Sequence, residues 1–166
     1  MLRKASLLAL LAGTITLSIL GLGHAQTPTS PQGPAPQAYR PGLGDLMTMT
    51  VQPRHIKLLL AGHEQNWPYA KYELHELQEA FERSVKVWPR FRGLPLGGMV
   101  DAIAKGPMDE LAKAIDGKDE VAFDAAYEKL TDGCNACHQA ANVGMVVIKV
   151  PNASSFPDQD FRPTKP

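Results

Sequence analysis

An all-α fold is what this sequence predicts: an antiparallel four-helix bundle with an extended C-terminal tail. Three observations carry the prediction. Apolar residues recur at three- and four-residue spacing through four separate segments. Helix start and stop signals fall between those segments. No stretch before residue 140 alternates apolar and polar as a half-buried strand does. Four amphipathic stripes joined by short connections are buried most simply against one another.

The chain opens with a segment that reads as a signal peptide over 1–25. Arg3 and Lys4 precede an apolar run, and Gly23-His24-Ala25 places small residues at the positions signal peptidase reads. An exported, periplasmic protein is the expectation. Residues 26–42 hold Pro28, Pro31, Pro34, Pro36 and Pro41 among Gln, Thr and Ser, the composition of an extended, mobile linker. The domain then spans 43–166, with its tail beginning near 142.

Helix one covers 43–61. Leu43, Met47, Val51, His55 and Leu58 form its stripe, with Ile56 and Leu59 alongside. Pro53 implies either a kink or a short turn ahead of the main helix, and Gly62 is a plausible stop. Helix two starts at the Asn66/Pro68 signal, runs the stripe Trp67, Ala70, Leu74, Leu77, Phe81, Val85 and Trp88, and ends at Pro89. Helix three spans 96–116, bent or split at Gly106 and Pro107, with Gly117 suited to a C-terminal cap. Helix four begins at an Asp119 N-cap and aligns Phe123, Tyr127, Leu130, Cys134 and Cys137. The apolar, β-branched run 143–150 reads as an extended tail laid on the surface of the helices.

Charge excludes some partners. Removing Arg3 and Lys4 from the 17 basic residues leaves 15 against 17 acidic ones, with no basic patch for nucleic acid and no acidic block.

The chemistry lies in Cys134-Asn135-Ala136-Cys137-His138, which holds the only 2 cysteines. On a helix, Cys134, Cys137 and His138 are i, i+3 and i+4 and share one face. That geometry suits a haem whose two vinyl groups accept the thiols while the imidazole reaches the iron, and C-x-x-C-H is the signature of this attachment. Other uses of the pair remain open. A thioredoxin-type redox pair sits at the start of a helix after a strand, whereas this one lies near a helix end. A zinc site needs four ligands, and only His55, His63, His75 or carboxylates could complete it. A disulfide across i, i+3 is geometrically poor. Coincidence of the pentapeptide is the fourth.

With the motif near the C-terminus, on the last of four helices of an exported chain, residues 43–141 resemble the class II c-type cytochromes, cytochrome c′ and its low-spin relatives. The resemblance implies one covalent haem c per chain on Cys134 and Cys137, with His138 as proximal iron ligand. In low-spin members a methionine early in helix one fills the sixth position; in cytochrome c′ an apolar residue leaves the iron five-coordinate. Met47 shares the stripe of Val51 and His55, and Met49 lies about 160° further round, so Met47 is the favoured sixth ligand. His55, Met99, Met108 and Met145 are the remaining side-chain candidates, beside an open position. Family haems often pair a propionate with an arginine on helix one, which points to Arg54.

Two features depart from the family. The chain continues for 28 residues beyond His138, and no basic residue follows the histidine closely. The extra tail could cover the haem edge, form a homodimer contact or dock a partner. The resemblance implies an electron carrier, not an enzyme, working between a redox partner protein or membrane oxidoreductase and another acceptor. A five-coordinate protein binding a small gas such as nitric oxide or carbon monoxide is the alternative, and a haem-bearing subunit of a larger complex a third.

Overall fold

The computed structural model describes residues 39–165. The predicted signal peptide, and the predicted linker apart from 39–42, lie outside them. Within the described residues the chain is helical except for one two-stranded hairpin and the tail.

The first rod joins α1 (Leu43–Leu46), a π-turn (Met47–Val51) and α2 (Gln52–His63) without a break. Pro53 is the cause of the π-turn. It has no N–H, and in α register its ring would strike the Met49 carbonyl. The backbone widens just ahead of it, where the Gln52 N–H bonds to the Met47 carbonyl five residues back, and Thr50 Oγ1 donates to the Leu46 carbonyl at 2.5 Å. A widened turn thus replaces the kink or separate turn expected from the sequence. Gly62 is not the stop either. It lies inside α2, and the left-handed residue is Gln65 (φ 53°). Gly62 serves packing, since a Cβ there would sit 2.3 Å from the Phe123 ring.

Helix α3 (Trp67–Val87) begins as predicted, with Asn66 Oδ1 accepting from the Tyr69 N–H at 3.3 Å. It buries Ala70, Leu74, Leu77 and Ala80, together with Glu73 and Ser84, two polar positions that the stripe conceals. A hairpin follows, β1 (Arg90–Phe91) pairing antiparallel with β2 (Leu94–Pro95). Its corner, Arg92 and Gly93, has φ of 48° and 85°, the two positive values that a two-residue hairpin turn requires. Strands of two residues are too short to alternate, which is why the sequence gives no sign of them.

The third rod repeats the design of the first: α4 (Leu96–Val100), a second π-turn (Asp101–Lys105), then α5 (Gly106–Gly117). In each rod a proline, Pro53 or Pro107, stands two residues past the end of the π-turn. The C-terminal cap of α5 is Lys118 (φ 53°), one residue later than predicted. The Lys118 and Asp119 N–H groups bond the Ile115 and Ala114 carbonyls at 3.1 and 2.9 Å, so the helix runs on through Gly117 until this Schellman-type closure is complete. Asp119 then caps α6 (Glu120–Ala140), accepting from the Ala122 N–H at 3.0 Å.

Helix α2 packs on α3 and α6, and α5 packs on the same two. Leu58, Leu77, Leu111, Phe123, Tyr127 and Leu130 are fully buried between them; each large apolar side chain so placed contributes about 1.5–3 kcal/mol. Residues 141–165 form the tail. Phe161 is buried and stacks on Tyr69 with centroids 5.6 Å apart. Asn66, having capped α3 with its oxygen, donates through Nδ2 to the Phe161 and Arg162 carbonyls at 3.1 Å. The end of the predicted linker is also held. Arg40 covers the Trp88 ring at 3.7 Å and its Nε donates to the Val87 carbonyl at 3.1 Å, at the C-terminus of α3. Trp88 Nε1 donates to the Pro41 carbonyl at 2.9 Å. Ordered structure therefore begins before residue 43, because a cation finds both an aromatic face and a helix C-terminus there.

Candidate functional site

One cleft gathers the residues singled out in the sequence. Both π-turns, the end of α6, the hairpin and the first part of the tail form its walls. Cys134, Cys137, His138 and Met47 all line it. The interior measures about 240 Å³, and the empty space rises to about 1240 Å³ when the solvent-open mouth is counted. These values bracket the roughly 300–1,000 Å³ of typical cofactor and ligand sites. Leu43, Val51, Phe81, Leu96, Val100 and Ile103 supply much of the wall, and among the described residues no Asp, Glu, Lys or Arg lines it.

Gly133 sets how α6 meets the third rod. A Cβ there would stand 2.6 Å from the Ile103 carbonyl oxygen. Ile103 is four residues before Pro107, so its carbonyl is the one an α-register N–H at 107 would have bonded. The proline, the second π-turn and the glycine together let α6 approach with Cys134 turned into the cleft.

Both cysteines are free. Burial pushes the Cys134 thiol up to about 11 and raises Cys137 as well. These are protonated thiols in an apolar wall, unlike the lowered-pKa pair of a disulfide oxidoreductase. Among the described residues, no three His, Cys, Asp or Glu side chains form a cage for a bare metal ion. A porphyrin supplies four nitrogens of its own and asks the chain only for axial donors, so this donor set fits a haem better than zinc.

The His138 ring is oriented by a backbone contact. Its Nδ1 lies 2.7 Å from the Val146 carbonyl oxygen. A carbonyl only accepts, so Nδ1 carries a proton and donates, which leaves Nε2 as the atom with the lone pair in the neutral tautomer. The segment 143–148 makes this contact and also closes one wall, through Val143, Val146 and Ile148. It is tied back to α6 by Asn135, whose Nδ2 donates to the Ile148 carbonyl at 2.9 Å and whose Oδ1 accepts the Ile148 N–H at 2.8 Å.

The other candidates divide sharply. Met99 lines the cleft with Met47. Met49 and Met145 are exposed, and Met108 is buried in the core away from the cleft. His55 reaches the cleft wall, yet both ring nitrogens are engaged, Nδ1 with Tyr127 Oη at 2.8 Å and Nε2 with Thr131 Oγ1 at 3.0 Å. Tyr127 Oη also donates to the His55 carbonyl at 2.8 Å. Burial lowers the His55 pKa to about 4, so the ring is neutral and has no free lone pair to offer a metal. Arg54 does not line the cleft. Its guanidinium holds the buried Glu73 carboxylate at 3.1 Å and Glu76 at 3.2 Å, because a carboxyl group buried in the core requires a partner.

Comparison with protein-family models, with curated proteins and with solved structures finds no match for this chain. The sequence reading missed three elements of the site: Asn135, the Val146 carbonyl and Gly133. The β-branched run 143–150 reads as a tail on the surface, and most of it is exposed, but no local pattern announces that a carbonyl eight residues on will meet a histidine.

Proposed function

We propose that this protein is a periplasmic monohaem c-type cytochrome that carries single electrons, its four rods forming an antiparallel four-helix bundle of the class II kind. The closed ring of packing among α2, α3, α5 and α6 supports the bundle. One observation carries the function: Cys134, Cys137, His138 and Met47 meet in a single apolar cleft that, among the described residues, no Asp, Glu, Lys or Arg lines.

A bound haem would supply a one-electron iron couple. The chain's part is to hold and shield it. Cys134 and Cys137, both free thiols, would hold the haem through thioether bonds to its vinyl groups. His138 Nε2 and the Met47 sulfur, both in the cleft lining, would be the chain's donors to the iron. Imidazole–thioether ligation and an apolar wall both favour a higher reduction potential. With Arg54 committed to Glu73 and Glu76, it would not hold a propionate, and the partner would be a redox protein or membrane oxidoreductase meeting the solvent-open mouth of the cleft.

The test is production of the full chain in a host that attaches c-type haem to exported proteins. The expected product is red, has lost residues 1–25, has gained the mass of one haem and shows a six-coordinate spectrum indifferent to carbon monoxide. A colourless chain of bare polypeptide mass overturns the proposal. A haem-loaded protein that binds carbon monoxide at once points instead to a five-coordinate, gas-binding protein.

A further inference from the structure

Asn135 occupies a variable position of the attachment motif, and the haem signature assigns it nothing. Its side chain nevertheless makes a reciprocal pair with the backbone of Ile148, giving one hydrogen bond at 2.9 Å and taking one at 2.8 Å. A primary amide presents a donor and an acceptor side by side, which matches the N–H and C=O of a single extended residue. The near end of the same segment is fixed by the Val143 N–H on the His138 carbonyl at 2.8 Å and the Val146 N–H on the Val143 carbonyl at 2.9 Å. Val146, between these two anchors, places its carbonyl 2.7 Å from His138 Nδ1. The Val146 side chain is about half exposed, so its own burial does not account for so defined a position.

We propose that Asn135 is a positioning residue for the iron ligand. By clamping Ile148 it holds residues 143–148 as a strap, and the strap's Val146 carbonyl fixes the tautomer, orientation and donor strength of His138. This rests on the haem reading above. A carbonyl accepting from Nδ1–H makes the imidazole a stronger donor through Nε2, which stabilises ferric iron and lowers the reduction potential. The strap therefore offsets part of the rise contributed by a thioether ligand and the apolar walls.

The experiment uses the full haem-loaded chain and two variants that cut the clamp from opposite sides. Asn135→Ala removes the amide. Ile148→Pro removes the N–H it accepts and leaves the attachment motif untouched. Three quantities are read: amide hydrogen exchange across 143–148, the His138 ring ¹⁵N signals in the ferrous protein, and the midpoint potential. The expected result is faster exchange along the strap in both variants, about tenfold for the loss of one to two net hydrogen bonds, with the Nδ1–H signal shifted toward its water-bonded position and the potential raised. Faster exchange with unchanged ring signals and potential overturns the positioning role. Unchanged exchange overturns the clamp itself. Should the parent protein lack haem by mass, the reading of function fails separately, while exchange and the His138 tautomer in that same chain still decide whether Asn135 governs the imidazole.

Discussion

Gly133 and the Ile103 carbonyl are so close that a single methyl group on the glycine would lie 2.6 Å from the oxygen. The obstacle is backbone and cannot rotate aside. Gly133→Ala is expected to destabilise the fold by about 1–3 kcal/mol, as overpacking does, and to lower haem attachment by swinging Cys134 out of the cleft. Gly106, also helical, has nothing within 4 Å of its Cβ position. Gly106→Ala should instead stabilise by about 0.5–1 kcal/mol. Denaturant titration of the two variants gives shifts of opposite sign.

Met47 and Met99 both line the cleft, so the sixth-ligand proposal is a choice between two thioethers. With Met47 as ligand, Met47→Ala abolishes the sulfur–iron absorption band, lowers the potential and opens the iron to carbon monoxide, whereas Met99→Ala leaves the spectrum unchanged. The reverse pattern assigns the ligand to the third rod.

His55 makes stability depend on pH. Its folded pKa is about 4, against 6.5 for the free residue. Above about 6.5 the ring is neutral in both states and its contribution is complete. As pH falls from 6.5 toward 4, only the unfolded chain takes up the proton, so stability drops, by at most about 3 kcal/mol. Unfolding midpoints measured across this window should slope accordingly, and His55→Gln should flatten the slope. Asp160, held down to about 2 by Arg162, titrates in a separate window below pH 3.8 and leaves the His55 slope readable.

Arg54 balances the buried Glu73 and is itself only 28% exposed. Arg54→Gln is expected to cost about 3 kcal/mol, the lower end for breaking a buried pair, while the midpoint potential stays near that of the parent. A large change in potential with little loss of stability would restore Arg54 as a propionate partner.

Lys118 is held in the left-handed region at φ 53°, a conformation costing an L-residue about 1–2 kcal/mol. Lys118→Gly should raise the thermal midpoint by a few degrees without altering the spectrum of the loaded protein.

The parts of this molecule that can be read from the sequence are those with a local cause. Asn66 and Asp119 cap because a side-chain oxygen two or three residues ahead of a free N–H is a local arrangement. The stripe Leu74, Leu77, Ala70 is buried because a helix sums its spacing. Cys134, Cys137 and His138 share a face for the same reason. What escaped has a distant cause. Gly62 looks like a stop, but its place is dictated by the Phe123 ring on another helix. Glu73 stands between Tyr72 and Leu74 and is buried because Arg54, nineteen positions earlier, pairs with it. Arg40 looked like linker until Trp88 and the α3 carbonyls came within its reach.

The two π-turns bear on how this fold tolerates change. Closing a hydrogen bond over five residues rather than four places one spare residue in each rod, and both spares fall at the cleft. Because a widened turn absorbs one residue without rotating its flanks, deleting a single residue from 48–50 would leave Met47 facing much as it does now, but Pro53 would then be forced into α register against the carbonyl four residues back. The same holds for Pro107 and a deletion within 101–105. Each spare residue and its proline thus form a matched pair, and a loss of length at either rod is expected to be tolerated only together with replacement of the proline.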